Sequence, residues 1–379
     1  MMRLMSRARA LVLVACACAL WLSPVFAADS TAPSSPAPAG IAVDSDGNVY
    51  VSDYAQDRVV KFGPDGSVLG QWGGSGNAIG QFSGPFGVAV DASNTVYVVD
   101  QLNNRVQRFA SDGTPLNTWG SPGAAPGDLR TPFGVAISGG RVYIADFGND
   151  RVDVFGTDGS LASMLGSRGS GDGQFQRPAG VAIGPDGSVF VTDHFNDRVE
   201  RFGSDGHYQA QIGTLETAVQ LSASSTGTPT AIATATVSAT PTSVATASAT
   251  GTAVLAAGTP APSASPTTGI APLAAAAAPI SPEVQLQRPE GIAVDGSGNV
   301  LVADYGRDRI VKLSPDGRLL QTWGTRGSGT AEFVGPKGVA VDPSTGKVYV
   351  ADTGNGRVQR LQPDGTPDVT WPMPPVSSS

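Results

Sequence analysis

Six Pro-x-Gly triplets divide this chain of 379 residues: Pro38-Ala39-Gly40, Pro85-Phe86-Gly87, Pro132-Phe133-Gly134, Pro178-Ala179-Gly180, Pro289-Glu290-Gly291 and Pro336-Lys337-Gly338. Their glycines lie 47, 47, 46, 111 and 47 residues apart, so one interval holds an ordinary repeat plus about 65 further residues. A fixed period of this length marks a repeat architecture, in which each unit is too thin to bury its own apolar faces and must lean on its neighbours.

Each triplet opens a short apolar strand such as Ile41-Ala42-Val43, followed by a turn rich in Asp, Gly, Ser and Asn. The second strand is apolar on both faces, as in Val49-Tyr50-Val51, Val96-Tyr97-Val98-Val99 and Val348-Tyr349-Val350, and so needs cover on both sides. A third strand, such as Arg58-Val59-Val60-Lys61-Phe62, runs into an Asp-Gly pair at Asp65-Gly66, Asp112-Gly113, Asp158-Gly159, Asp205-Gly206, Asp316-Gly317 and Asp364-Gly365. Glycine takes positive φ without steric cost, so that pair marks a tight hairpin into a fourth strand. The fourth strand ends at Trp72, Trp119, Leu165, Ile212, Trp323 and Trp371.

Four-stranded units of this kind cover one another when stacked radially and leave only short edges. The expected fold is all-β, a six-bladed β-propeller of four-stranded antiparallel blades starting near residues 40, 87, 134, 180, 291 and 338. All six units carry the full pattern and neither end resembles a polar cap, which favours a closed ring over a solenoid. No spare strand precedes Pro38, so the first and last blades are expected to close the ring by packing, without a shared blade.

The stretch from Gly40 to Gly66, with its Gly-Ile-Ala-Val-Asp, Asn-Val-Tyr-Val-Ser-Asp, Asp-Arg-Val-Val-Lys-Phe and Asp-Gly segments, resembles an NHL repeat. The resemblance covers nearly all of Pro38 to Trp371 outside the long interval and implies the propeller, while the fold itself hosts unrelated functions. Some NHL-type propellers are metal-dependent lyases, and similar six-bladed folds include lactonases. The resemblance therefore keeps a metal-dependent lyase or lactonase-like hydrolase at the channel mouth as the alternative to a binding role.

From 214 to 285 the chain turns to Ala, Thr, Ser and Pro, almost without charge or aromatic rings. Such a composition cannot build a packed core, so a disordered insertion between blades four and five is expected within a propeller spanning 38–371. The short flanks 28–37 and 372–379 are expected to be disordered as well. At the N-terminus, Arg3, Arg7 and Arg9 precede an apolar run from Ala10 to Leu22 and small residues up to Ala27, the pattern of a secretory signal peptide over residues 1–27. The run is too short for a transmembrane span. Cleavage near Ala27 gives an exported, extracytoplasmic protein, most simply a bacterial one. Both cysteines, Cys16 and Cys18, fall inside the signal, so the mature chain must be stable without disulfides; Leu13-Val14-Ala15-Cys16 also resembles a lipidation site.

Loss of the three signal arginines takes the formal charge from −8 to −11. That balance is unsuited to phosphate backbones, so no nucleic-acid partner is expected. Six Asp/Arg pairs five residues apart recur at the end of the second strand: Asp53 and Arg58, Asp100 and Arg105, Asp146 and Arg151, Asp193 and Arg198, Asp304 and Arg309, Asp352 and Arg357. Six-fold recurrence points to a structural role in holding loops, since sites arise where a repeat is broken.

The variable positions beside these pairs should ring the channel mouth, and they supply the candidate ligand-binding residues Tyr54, Phe86, Phe133, Phe147, His194, Glu290, Tyr305 and Lys337. Aromatic rings with one acid and one lysine suit a protein, peptide or glycan partner; Phe86 and Phe133 could equally plug the channel. The only histidines are His194 and His207, so a multi-histidine metal site is excluded, and no catalytic residues, metal or cofactor are expected. The reading is an exported monomeric binding or scaffold protein.

Overall fold

A computed structural model of the protein describes residues 35–212 and 284–375. Blade 1 consists of Pro38–Val43, Val49–Asp53, Arg58–Phe62 and Val68–Gly73, each strand pairing antiparallel with the next. Blades 2 to 6 repeat that order, with first strands at Pro85–Val90, Val135–Ser138, Pro178–Ile183, Pro289–Val294 and Pro336–Val341. The architecture is the expected six-bladed propeller. The second strands are almost wholly buried, whereas the fourth strands form the exposed outer edge, as in Val68–Gly73.

Apolar residues collect between blades rather than within them. Six clusters form, one at each junction, and the cluster joining Ile41, Val49 and Val51 of blade 1 to Tyr349, Ala351 and Val358 of blade 6 closes the ring. Two backbone features run around the same circle. A Cβ placed on Gly40, Gly87, Gly134, Gly180, Gly291 or Gly338 would lie 2.2–2.6 Å from a carbonyl oxygen of the next blade, belonging to Phe86, Phe133, Ala179, Glu290, Lys337 and Ala39 in turn. Only glycine lets the first strands approach this closely. On the outside, each terminal residue of a fourth strand covers the Asp-Gly turn of the following blade, from Trp72 over Gly113 round to Trp371 over Gly66.

One bulky side chain completes each junction: Phe82, Leu129, Phe175, Leu286, Phe333 and Met373. The first five come from the connector three residues ahead of a triplet proline, whereas Met373 comes from the C-terminal end. Three expected boundaries change as a result. Val284 and Leu286 are buried in the junction of blades 4 and 5, so the fold resumes at 284, inside the segment expected to be disordered through 285. Pro372 belongs to the last strand and Met373 is buried, while Arg58 donates to the carbonyls of Pro374 and Pro375. The supposed tail is therefore structural up to 375, because it fills the slot a connector fills elsewhere. Ala37 likewise donates its N–H to Asp53 (2.9 Å), tying down the end of the 28–37 flank. The expected signal peptide over 1–27 and the rest of residues 1–34, residues 213–283 and residues 376–379 lie outside the described residues. Among the described residues no helix is long and apolar enough to cross a membrane.

Candidate functional site

The loops between second and third strands share one end of the ring with the connectors, and each begins at a fully buried Asp. Its carboxylate meets the Arg five residues on at 3.1, 2.7, 3.4, 3.0, 2.7 and 2.7 Å in blades 1 to 6. The other oxygen accepts a backbone N–H from the incoming connector, such as Ser83 (2.8 Å) or Gln176 (2.7 Å). The guanidinium then donates to connector carbonyls; Arg105 reaches Asn77, Ala78 and Gln81. These charges are spent on fastening blade to blade. A second fastener was not foreseen: the residue before each Arg takes left-handed backbone, and Asp57, Asn104, Asp150, Asp197 and Asp308 each accept the N–H of the residue preceding the next triplet at 2.7–2.8 Å. The column Asp, Asn, Asp, Asp, Asp, Gly was readable as the residue types that tolerate positive φ.

The eight candidate residues come together at the channel mouth. Ring contacts run from Tyr54 to Phe86 (6.2 Å), Phe86 to Phe133 (4.4 Å), Phe133 to Phe147 (4.1 Å, stacked) and Phe147 to His194 (5.9 Å). Lys337 projects its Nζ over Tyr54, Phe86 and Tyr305 at 5.8, 5.1 and 5.9 Å. Beneath lies a cavity of about 60 Å³, lined by Phe86, Glu290, Lys337 and the glycine backbones of the first strands. It holds a few waters or one small group, well short of a sugar ring. Phe86 is almost fully buried and partly plugs it.

Glu290 is only 5% exposed and its Oε2 has no hydrogen-bond partner; burial pushes its carboxyl up to about 7, with Lys337 pulling the other way. The expected opposition of Glu290 and Lys337 is present in position, yet the two form no ion pair. His194 is buried with Nδ1 3.3 Å from the Pro289 carbonyl, and burial lowers its pKa, keeping the imidazole neutral. His207 sits on the hairpin between third and fourth strands, at the opposite end of the blade. Among the described residues no three His, Cys, Asp or Glu side chains converge as metal ligands. Two residues of this surface were missed by sequence reasoning: Phe195, 50% exposed and 4.9 Å from the His194 ring, and Arg177, 5.4 Å over Phe147.

The sequence profile of the NHL repeat matches residues 37–62, 286–313 and 333–361, in blades 1, 5 and 6. The chain carries NHL repeats. No curated protein matches the sequence closely enough to count as a relative. Solved structures similar to this NHL propeller include virginiamycin B lyase from Staphylococcus aureus (12% identity, 89% of this chain and 85% of that one, TM-score 0.50). A gluconolactonase from Xanthomonas campestris (14%, 84% and 84%, 0.50) and hydrazine synthase from Kuenenia stuttgartiensis (13%, 89% and 99%, 0.52) are similar as well. At such identities the likeness is one of fold.

Within the NHL ring, one column breaks the repeat in the interior. Two residues after the clamp arginine, blades 2 and 6 carry Gln107 and Gln359, whose Nε2 donates to Asp100 and Asp352 at 3.0 Å. Blades 3 and 4 carry Asp153 and Glu200 there, both fully buried. Arg198 Nη2 stands 2.7 Å from Glu200 Oε1 as an ion pair, and the backbone N–H of Gly173 also favours the charged carboxylate. Burial pushes Glu200 up to about 8, with Asp193 adding to the shift and Arg198 opposing it. Burial also raises Asp146 and Asp153, neighbouring carboxyls that share one arginine.

Linkage fixes the sign of the consequence. The folded state holds protons that the unfolded chain loses near its ordinary carboxyl range, so stability is greatest at about pH 5 and falls as pH rises towards 8. The melting temperature should drop by about 5 °C over that interval. Glu200→Gln supplies the amide donor of blades 2 and 6, and should flatten the profile and melt above the wild type at pH 8. Calorimetry at pH 5, 6.5 and 8 checks this; a variant profile as steep as the wild type's would show that Glu200 is not responsible.

Proposed function

We propose that this propeller is a binding module, acting outside the cytoplasm once residues 1–27 are removed, whose loop face seats a protein or peptide segment as a monomer. The observation carrying this reading is the unbroken run of ring contacts from Tyr54 to Phe195 across the mouth, flanked by Lys337 and Arg177. Rigid aromatic side chains offer large contact area at small entropic cost and typically dominate binding energy. The cavity is too small to engulf a substrate, so a ligand would lie across the face and send at most one group inward. The repeated Asp/Arg pairs are occupied in holding connectors, which leaves recognition to the positions that vary from blade to blade.

The test is a screen of the chain lacking residues 1–27 against peptide and glycan panels, followed by Phe195→Ala and Phe147→Ala. Each variant should weaken peptide capture about ten-fold or more, roughly 1.4 kcal/mol. Capture unaffected by either change, or confined to glycans, would refute the proposal. A chelator-sensitive lyase or hydrolase activity lost in His194→Ala would instead favour the metal-dependent alternative.

A further inference from the structure

Glu290 presents a feature the binding reading does not use. The residue lines the cavity, its carboxyl is buried, and its Oε2 has no partner. Lys337, on the next blade and lining the same cavity, has its ammonium over three aromatic rings, with no hydrogen bond or ion pair among the described residues. Two strong polar groups thus border one small space without satisfying each other. Buried polar atoms are ordinarily paired, and an unpaired one at the wall of a cavity points to a missing guest.

The character of the guest follows from what is already occupied. A cationic group would have to evict Lys337 from the three rings that hold it. An anionic group meets unused N–H donors on Lys337 and a carboxyl that donates while it is protonated. The volume of about 60 Å³ admits a carboxylate but no larger body. We infer that the channel mouth captures the C-terminal carboxylate of a peptide between Lys337 and Glu290, with the terminal side chain resting on Phe86 and Phe133. This deepens the binding reading above and rests on it.

Other charged or titratable groups near Glu290 do not replace that pair. His194 is held neutral by burial, and Tyr305 is raised by burial and by Glu290 itself, so both are uncharged near neutrality. Arg288, two residues before Glu290 and exposed, adds positive charge, while Asp197 and Asp308 spend one carboxylate oxygen each on backbone N–H groups. Below about pH 7 Glu290 is a neutral donor, and above it an anion that repels the guest. Capture should therefore weaken as pH rises.

The probes are N-acetyl-phenylalanine, its primary amide and glucuronate, titrated by calorimetry or ligand-observed NMR. The acid should bind at pH 6 at least about ten-fold more tightly than the amide or glucuronate, and weaken by about ten-fold at pH 8.5. Lys337→Met should erase the preference for acid over amide, while Lys337→Arg keeps it. Glu290→Gln should retain acid binding and lose its pH dependence. Melting curves for each variant separate loss of the site from loss of the fold. Equal binding of acid and amide, preference for glucuronate, or a preference surviving in Lys337→Met would overturn the inference. Peptide capture sensitive to Phe195→Ala would in those cases still support the wider reading, and its absence beside an intact acid preference would sink the wider reading alone.

Discussion

A chain ending at Trp371 should melt at least about 10 °C below the full-length protein, whereas one ending at Pro375 should melt with it. The difference lies in four residues. Pro372 pairs with Arg357 at the end of the last strand, Met373 donates its N–H to the Gly356 carbonyl (3.2 Å), and its side chain fills the junction of blades 6 and 1. The carbonyls of Pro374 and Pro375 accept from the guanidinium of Arg58, a residue only 5% exposed, which would otherwise keep unsatisfied donors. Losing a buried Met side chain costs about 2–5 kcal/mol, and stranding a buried charged donor about 1–3 kcal/mol, with imperfect additivity because both act at one junction.

This junction is the one place where the left-handed fastener is missing. Gly356 stands where five blades have Asp or Asn, and its neighbour Thr353 donates instead from Oγ1 to the Pro38 carbonyl at 2.6 Å. Met373→Ala alone should give about half of the truncation's effect. Thermal unfolding of the three shortened or substituted chains checks the account; a chain ending at Trp371 that melts within about 2 °C of the full-length protein would refute it.

That junction also shows where sequence reasoning reached and where it stopped. The ring was legible because the Pro-x-Gly triplets, the Asp-Gly turns and the apolar residue closing the fourth strand, Trp in four blades and Leu165 or Ile212 in the other two, each recur once per blade, and the structure makes each of them touch the neighbouring blade. The slot filled by Phe82, Leu129, Phe175 and Phe333 also has a fixed offset from its triplet, but Leu286 stands at the end of a low-complexity run and Met373 lies beyond the last repeat. Composition masked the first, and the second has no triplet after it to set its register.

At the mouth, the residues that differ between blades were identifiable from the column they share. Burial was not, so Glu290 was legible as a charge opposite Lys337 but not as an interior carboxyl with a bare oxygen. The interior column holding Gln107, Asp153, Glu200 and Gln359 stood in plain view next to the arginines. Its meaning depends on depth: a Glu in that place is unremarked at a surface and raised to about 8 when buried.

Gly291→Ala should be severely destabilising although it adds only a methyl group, costing about 3 kcal/mol or more. Its added Cβ would stand 2.3 Å from the Lys337 carbonyl oxygen, 2.9 Å from the Gly338 Cα and 3.1 Å from the Val339 nitrogen, all of them backbone. No side-chain rotation relieves such a contact. The first strands of blades 5 and 6 must separate, and the gap opens between the residues that carry Glu290 and Lys337. Stability and any capture by that pair should therefore fall together.

Gly296→Ala, in the first turn of the same blade, provides the control, since nothing lies within 4 Å of its added Cβ. It should change stability by no more than about 0.5 kcal/mol. Equilibrium urea unfolding of both variants decides the matter. A loss below about 1 kcal/mol for Gly291→Ala would mean that the first strands are not packed backbone to backbone, and with that contact would go the closed ring on which the mouth depends.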